Sequence, residues 1–266
     1  MTESRPVKFF LRLATGFVIA FLYLPIVILA IYAFNTSRVQ TWPPRGLTLD
    51  WFAAAATNAQ ILRALQNSLV AASVATIVAL ALGTLAALAV QRYDFFGKQT
   101  ISFVLLLPIA LPGVITGIAL RTTFVTFGVD LGLMTIIIGH ATFCVVVVYN
   151  NVVARLRRLP RTPEEASADL GADAFTTFRR VTLPGMRTAL LAGALLSFGL
   201  SFDEIIVTIF TAGAGTQTIP LWIYSAIQRP NELPIVNVVA LVLILLSVIP
   251  VYISTRLSSD VSGGRI

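Results

Sequence analysis

The 266-residue chain is 57% hydrophobic and only 12% charged, with a mean hydropathy of +0.87, whereas soluble domains are about 45–50% apolar and about 25% charged. These values exclude an ordinary soluble enzyme, because a backbone that must satisfy its polar groups in lipid does so by forming helices. A single cysteine, Cys144, allows no disulfide within the chain, and a single histidine, His140, supplies no zinc site by itself, so no metal centre is expected.

Apolar runs fall at about 9–34, 66–90, 101–120, 132–154, 189–211 and 233–255, each near the ~20 residues that cross a bilayer core. They predict six spans in one membrane domain, 1–266, without repeats or a soluble module. The first run follows Arg5, Lys8 and Arg12 and is longer than the 7–15 apolar residues usual in a signal peptide, which predicts an uncleaved anchor helix. With the N-terminus inside, 14 basic residues face the cytoplasm and 5 (Arg38, Arg45, Arg63, Arg121 and Arg229) face the other side. That bias is the one expected of a protein with both termini in the cytoplasm, and it accounts for the net charge of +7 without nucleic acid.

The outer connection, about 35–65, places Trp42, Trp51 and Phe52 beside Pro43 and Pro44, a composition suited to a segment anchored at the headgroup level. In the third run Pro108 and Pro112 predict a kink. Arg121 at its outer end is expected to snorkel to the interface. His140, inside the fourth run, is expected to be a packed, hydrogen-bonded residue.

The inner connection, about 155–188, reads as two short helices broken at Gly171. Thr162 is expected to cap the first, with Pro163 at the first helical position and Glu165 completing a T-x-x-E capping box. Ala166, Ser167 and Ala168 are small enough to let another surface approach, and Phe175 and Phe178 form an i, i+3 apolar pair. Two readings fit this pattern: a docking element for another protein, or a helical hairpin packed on the inner face of the chain itself.

The fifth run carries two acids, Asp203 and Glu204, deep in the membrane, where an ionised carboxylate is costly unless it meets a partner or water. Ser197, Ser201, Glu204, Thr208 and Thr211 recur at steps of 4, 3, 4 and 3, which places them on one face of a continuous helix that is expected to line a pathway. Asp203 is turned about 100° from Glu204. One acid is therefore expected to meet substrate and the other a protein partner, and interhelical hydrogen bonding of both acids is the competing reading. The carboxylates and the aromatic faces of Trp222 and Tyr224 suit a cationic cargo.

Glu165-Ala166-Ser167, Gly171 and Leu183-Pro184 match the E-A-A, G and L-P signature of ABC importer permeases, which the chain resembles over nearly its whole length. Asn67-Ser68-Leu69, Pro108 and Pro112 with Gly113 and Gly117, Gly139-His140 and Ala154-Arg155-Leu156 extend the likeness; Ser167 stands where alanine is common. The resemblance implies an all-α membrane protein of six transmembrane helices, with a cytoplasmic coupling-helix loop between spans four and five. Glu164, Glu165, Ala166, Asp169, Gly171, Leu183 and Pro184 would then couple to an ATPase. It further implies a transport subunit without catalytic residues or a cofactor of its own, set in a bacterial inner membrane. ATP and Mg would be bound by two copies of a partner ATPase, beside a second permease and an extracytoplasmic substrate-binding protein. Consistently, no G-x-x-x-x-G-K-[ST] loop is present, since Gly97-Lys98 lacks both the upstream glycine and the following hydroxyl.

Within that family, Ser201-Phe202-Asp203-Glu204, Phe210-Thr211-Ala212-Gly213 and Ile219-Pro220-Leu221-Trp222-Ile223-Tyr224-Ser225 are similar to the spermidine/putrescine importers, whose paired acids are commonly two aspartates. The implied pathway residues are Asp203, Glu204, Ser201, Thr208, Tyr224 and Trp222. Permeases for other organic solutes or ferric ion share the same loop, and both a homodimer and a heterodimer of permeases fit. A self-contained ion-coupled transporter would more readily show inverted repeats, and an intramembrane hydrolase would need a second convergent acid.

Overall fold

The computed structural model describes the backbone of residues 5–262 and the side chains of residues 6–247; the side chains of Arg5, Arg256 and Arg265, which are among the 14 basic residues expected in the cytoplasm, lie outside the described residues. The helices are α1 (Arg5–Ala33), α2 (Asp50–Thr57), α3 (Ala59–Arg92), α4 (Lys98–Ala110), α5 (Gly113–Thr126), α6 (Leu133–Leu156), α7 (Thr162–Asp169), α8 (Ala174–Thr177), α9 (Leu183–Asp203), α10 (Ile206–Thr211), α11 (Ile219–Ile227) and α12 (Leu233–Ser262). A π-turn, Phe178–Thr182, joins α8 to α9.

Among the described residues, five helices are long and apolar enough to cross a membrane, and a sixth crossing exists if α4 and α5 are taken as one bent span. The third predicted run is thus two helices at 105°. Pro112 is the cause: it lacks an N–H and biases the residue before it away from the helical region, and Leu111 is extended at φ −83° and ψ 142°. Pro108, by contrast, sits inside α4. The fifth predicted run is also divided, since α9 ends at Asp203 and α10 starts at Ile206. On its other side α9 is extended through the π-turn and α8, so that Ala174–Asp203 forms one apolar stretch.

The chain divides into two compact units, one comprising residues up to Leu62 with those from Ile223 onward, the other Arg63–Trp222. In the first, α12 packs against both α1 and α2. The outer connection folds back on the end of α1: Trp51 Nε1 donates to the Asn35 carbonyl at 2.9 Å, and the rings of Phe34 and Phe52 lie 4.9 Å apart. Trp42 remains exposed, as the expected headgroup anchor requires.

In the second unit α6 packs along α9 and also meets α4, α5 and α10. Its core joins Ala79, Ala87 and Val90 of α3, Val148, Val152 and Leu156 of α6, and Met186 of α9. In lipid such contacts gain by close packing rather than by leaving water, which is why buried positions of α3 are so often alanine (Ala71, Ala72, Ala75, Ala79 and Ala87). Polar residues supply the fixed points. Asn67 Nδ2 donates to the Gln217 carbonyl at 2.9 Å, and Ser68 Oγ accepts from the Ile219 N–H at 2.8 Å, tying the start of α11 to α3.

Candidate functional site

Two places gather the residues singled out from the sequence. The first is the connection between α6 and α9. The expected cap at Thr162 does not form; Arg161 is the N-cap residue, without a side-chain cap bond, and Thr162 is already helical. The physical reason lies in Glu164. It occupies the third helical position, from which an acid ordinarily reaches back to the cap, but here its Oε1 accepts from the Arg92 guanidinium and from the Thr182 hydroxyl, both at 2.9 Å. Arg161 donates to the Gln91 carbonyl at 3.0 Å. The start of α7 is thereby pinned to the end of α3 and to the π-turn. Both side chains of the Arg92–Glu164 pair are largely buried.

The end of α7 closes as expected at Gly171. The Gly171 N–H donates to the Ala168 carbonyl at 2.9 Å and the Ala172 N–H to the Ser167 carbonyl at 3.1 Å, the double bond pattern that satisfies orphan carbonyls at a helix end. Gly171 has φ +83°, a region that L side chains rarely adopt, while a Cβ there would meet nothing within 4 Å. Its need for glycine within the chain is conformational. The second helix starts at Asp173, whose Oδ1 accepts from the Thr176 N–H at 2.7 Å; the Thr176 hydroxyl and N–H hold the Asp173 carboxyl below its usual range. Ser167, read above only as a small residue, has its Oγ 3.0 Å from Thr177 Oγ1 and so links α7 to α8.

Glu165, Ala166, Asp169, Gly171 and Pro184 are exposed, whereas Glu164 and Leu183 are half-buried. Phe175 and Phe178 part company: Phe175 is 69% exposed and Phe178 packs beside the core. Leu170, which sequence reasoning passed over, is 89% exposed. The signal available was an apolar residue just before a C-terminal glycine in an otherwise acidic helix.

The second place is the break between α9 and α10. Glu204 is extended at φ −72° and ψ 120°. Its Oε1 accepts from the Val207 N–H at 2.9 Å, and its carbonyl accepts from Thr208 Oγ1 at 2.8 Å. One acid of the pair is therefore used as a cap, at the positive end of α10. Asp203 is the last residue of α9 and is exposed; among the described residues no hydrogen bond or ion pair reaches its carboxylate.

The hydroxyl stripe expected to line a pathway faces α6 instead. Ser197 Oγ donates to the Cys144 carbonyl at 3.3 Å, His140 Nδ1 lies 2.8 Å from Ser201 Oγ, and His140 Nε2 lies 2.9 Å from Thr208 Oγ1. Thr135 Oγ1 donates to the Thr211 carbonyl at 2.7 Å. Hydroxyls in a membrane helix need partners, and a polar neighbouring helix satisfies them as well as water does. His140 is packed and hydrogen-bonded, as its position predicts, and is fully buried. Trp222 is buried, while Tyr224 is 52% exposed. Arg121 NH1 donates to the Phe210 carbonyl at 3.4 Å, at the negative end of α10, rather than only reaching for the interface.

Comparison with known proteins bears on what such an arrangement serves. Residues 79–263 match the family model "Binding-protein-dependent transport system inner membrane component". The chain is 36% identical over 247 residues to the spermidine/putrescine transport system permease protein PotC of Escherichia coli strain K12, covering 92% of each chain. It is 36% identical over 228 residues to the putrescine transport system permease protein PotI of the same strain, covering 83% of this chain and 80% of that one. Among solved structures, a bacterial alginate ABC transporter in complex with alginate pentasaccharide-bound periplasmic protein contains a chain that superposes with a TM-score of 0.75 at 16% identity, covering 98% of this chain and 97% of that chain. At that identity the likeness speaks for the fold. The apolar helices, the loop signature and these relatives lead to one conclusion: the chain belongs to the binding-protein-dependent transport system inner membrane component family, the integral membrane permease subunits of ABC importers.

Proposed function

We propose that this permease carries polyamines, with Asp203 as the carboxylate that meets the cationic cargo. The observation that carries the reading is the position of Asp203, an exposed acid at the end of a broken membrane helix, beside a second acid already used as a cap. A carboxylate in that setting needs a cation or water. The carbonyls at the end of α9 add the negative end of a helix dipole to the same spot, and half-helix ends of this kind coordinate cations in other transporters. The similarity to permeases named for spermidine and putrescine supports the same class of cargo.

In this reading the exposed side of α7, with Glu165, Ala166, Asp169, Leu170 and Gly171, and nearby Phe175, docks on a cytoplasmic ATPase that binds ATP and Mg. Two ATPase copies, a second permease and an extracytoplasmic binding protein complete the transporter. Both termini and the α6–α9 connection face the cytoplasm of a bacterial cell, as the basic residues favour.

The test is uptake of radiolabelled spermidine and putrescine by the complete transporter, normalised to intact complex. Asp203→Asn keeps size and hydrogen bonding while removing charge, and it is expected to reduce normalised uptake by about tenfold or more. Undiminished normalised uptake would remove Asp203 from the pathway. Absence of polyamine uptake by the unmodified transporter would move the cargo to another organic solute or to ferric ion.

A further inference from the structure

His140 spans a gap that the backbone leaves open. Ser201 belongs to the last turn of α9 and Thr208 to the first turn of α10, with the extended Glu204 between them. The imidazole places Nδ1 2.8 Å from the first hydroxyl and Nε2 2.9 Å from the second. Thr208 Oγ1 also lies 2.8 Å from the Glu204 carbonyl, and a neutral ring, donating through one nitrogen and accepting through the other, meets both hydroxyls without burying a charge.

Independent contacts hold the same pieces against α6. A Cβ at position 139 would come within 2.9 Å of Val207 Cγ1 and 3.4 Å of Thr211 Cγ2, so α10 seats where Gly139 leaves room, one residue from His140. Thr135 fixes the far end of α10 through the Thr211 carbonyl. One turn earlier in α9, Ser197 and Cys144 make the same kind of crossing that Ser201 and His140 make. The two half-helices are therefore referenced to a single rigid helix, and the imidazole is the group that touches both sides of the break.

We infer that His140 is a positioning residue: by hydrogen-bonding Ser201 before the break and Thr208 after it, it sets where α9 stops and how Asp203 is presented. It does not itself meet cargo, being fully buried. The inference rests on the proposal that Asp203 faces the pathway only for its functional consequence; the geometric claim stands apart from the identity of the cargo.

The experiment uses the complete transporter in a Cys144→Ala background, with Asp203→Cys as a reporter. The rate at which a positively charged methanethiosulfonate reagent modifies that cysteine measures the exposure of position 203. His140→Leu removes both bonds. His140→Asn keeps an amide near the position of Nδ1, and His140→Gln one near that of Nε2, so each preserves one bond if the leucine variant does not assemble. Each of the three substitutions is expected to change the labelling rate by about fivefold or more, and Ser201→Ala added to His140→Leu is expected to change it no further, because both remove the same bond. In transporter retaining Asp203, His140→Asn and His140→Gln should alter the ratio of spermidine to putrescine uptake. Labelling within twofold of the parent in all His140 variants would overturn the inference, as would additive effects of His140→Leu and Ser201→Ala, which are the mark of plain packing. A changed labelling rate in a transporter that takes up no polyamine would retain the positioning role and reject the cargo.

Discussion

Glu204 and Asp203 are neighbours with opposite employment. The Glu204 carboxylate accepts the Val207 N–H at the start of α10, so what the position requires is an acceptor, and a charge adds only the helix-dipole contribution of about 0.3–1 kcal/mol. Asp203 makes no such bond among the described residues, and charge is all it has to offer. The two should therefore respond differently to neutralisation. Glu204→Gln is expected to leave polyamine uptake within about twofold of the parent, because the amide oxygen still caps, whereas Glu204→Ala should lower the yield of assembled complex by loosening α10. Measuring uptake and assembly for both variants beside Asp203→Asn separates the roles. A loss of normalised uptake in Glu204→Gln equal to that in Asp203→Asn would show that both charges meet the cargo.

α7 is held at both ends by different means. Its start is drawn against α3 and the π-turn by the bonds to Glu164 and by Arg161, and its end is turned by Gly171 at φ +83°. Movement imposed on α7 is thus passed to α3 as directly as to the π-turn that leads into α9. At Gly171 the cost of a side chain is conformational, roughly 1–2 kcal/mol for an L residue in the left-handed region and less for asparagine. Gly171→Ala is expected to raise hydrogen exchange at the end of α7 and to lower ATP hydrolysis stimulated by cargo-loaded binding protein, with Gly171→Asn in between. Normal stimulation in the alanine variant would argue that the turn has no part in coupling.

For the whole molecule the orientation prediction rests on the 14-to-5 division of basic residues. Leu170 and Arg45 are both exposed. Single cysteines at these positions in a Cys144→Ala background are expected to react with membrane-impermeant reagent from opposite sides, Leu170→Cys from the cytoplasm. Labelling of both from one side would reverse the assignment of one connection.

What the chain states by itself is what depends on one segment at a time. Apolar run lengths announce the membrane helices because the bilayer thickness is common to all of them. Pro112 announces a break because its missing N–H and its effect on Leu111 are local, and Gly171 announces a turn for an equally local reason. The loop signature carried the family in the same way. The destination of the polar stripe was decided only by tertiary structure. Ser201 and Thr208 have the same spacing whether they face a pathway or a polar helix, since either surrounding satisfies a hydroxyl, and the choice was made by His140, about 60 residues away in sequence for Ser201 (|i−j| = 61). The break at Glu204 was hidden for a related reason. Nothing in Phe202-Asp203-Glu204-Ile205 forbids a helix, and the interruption is stabilised by a cap bond, the bridging imidazole and the seat at Gly139 acting together, none of which is visible until α6 lies beside α9 and α10.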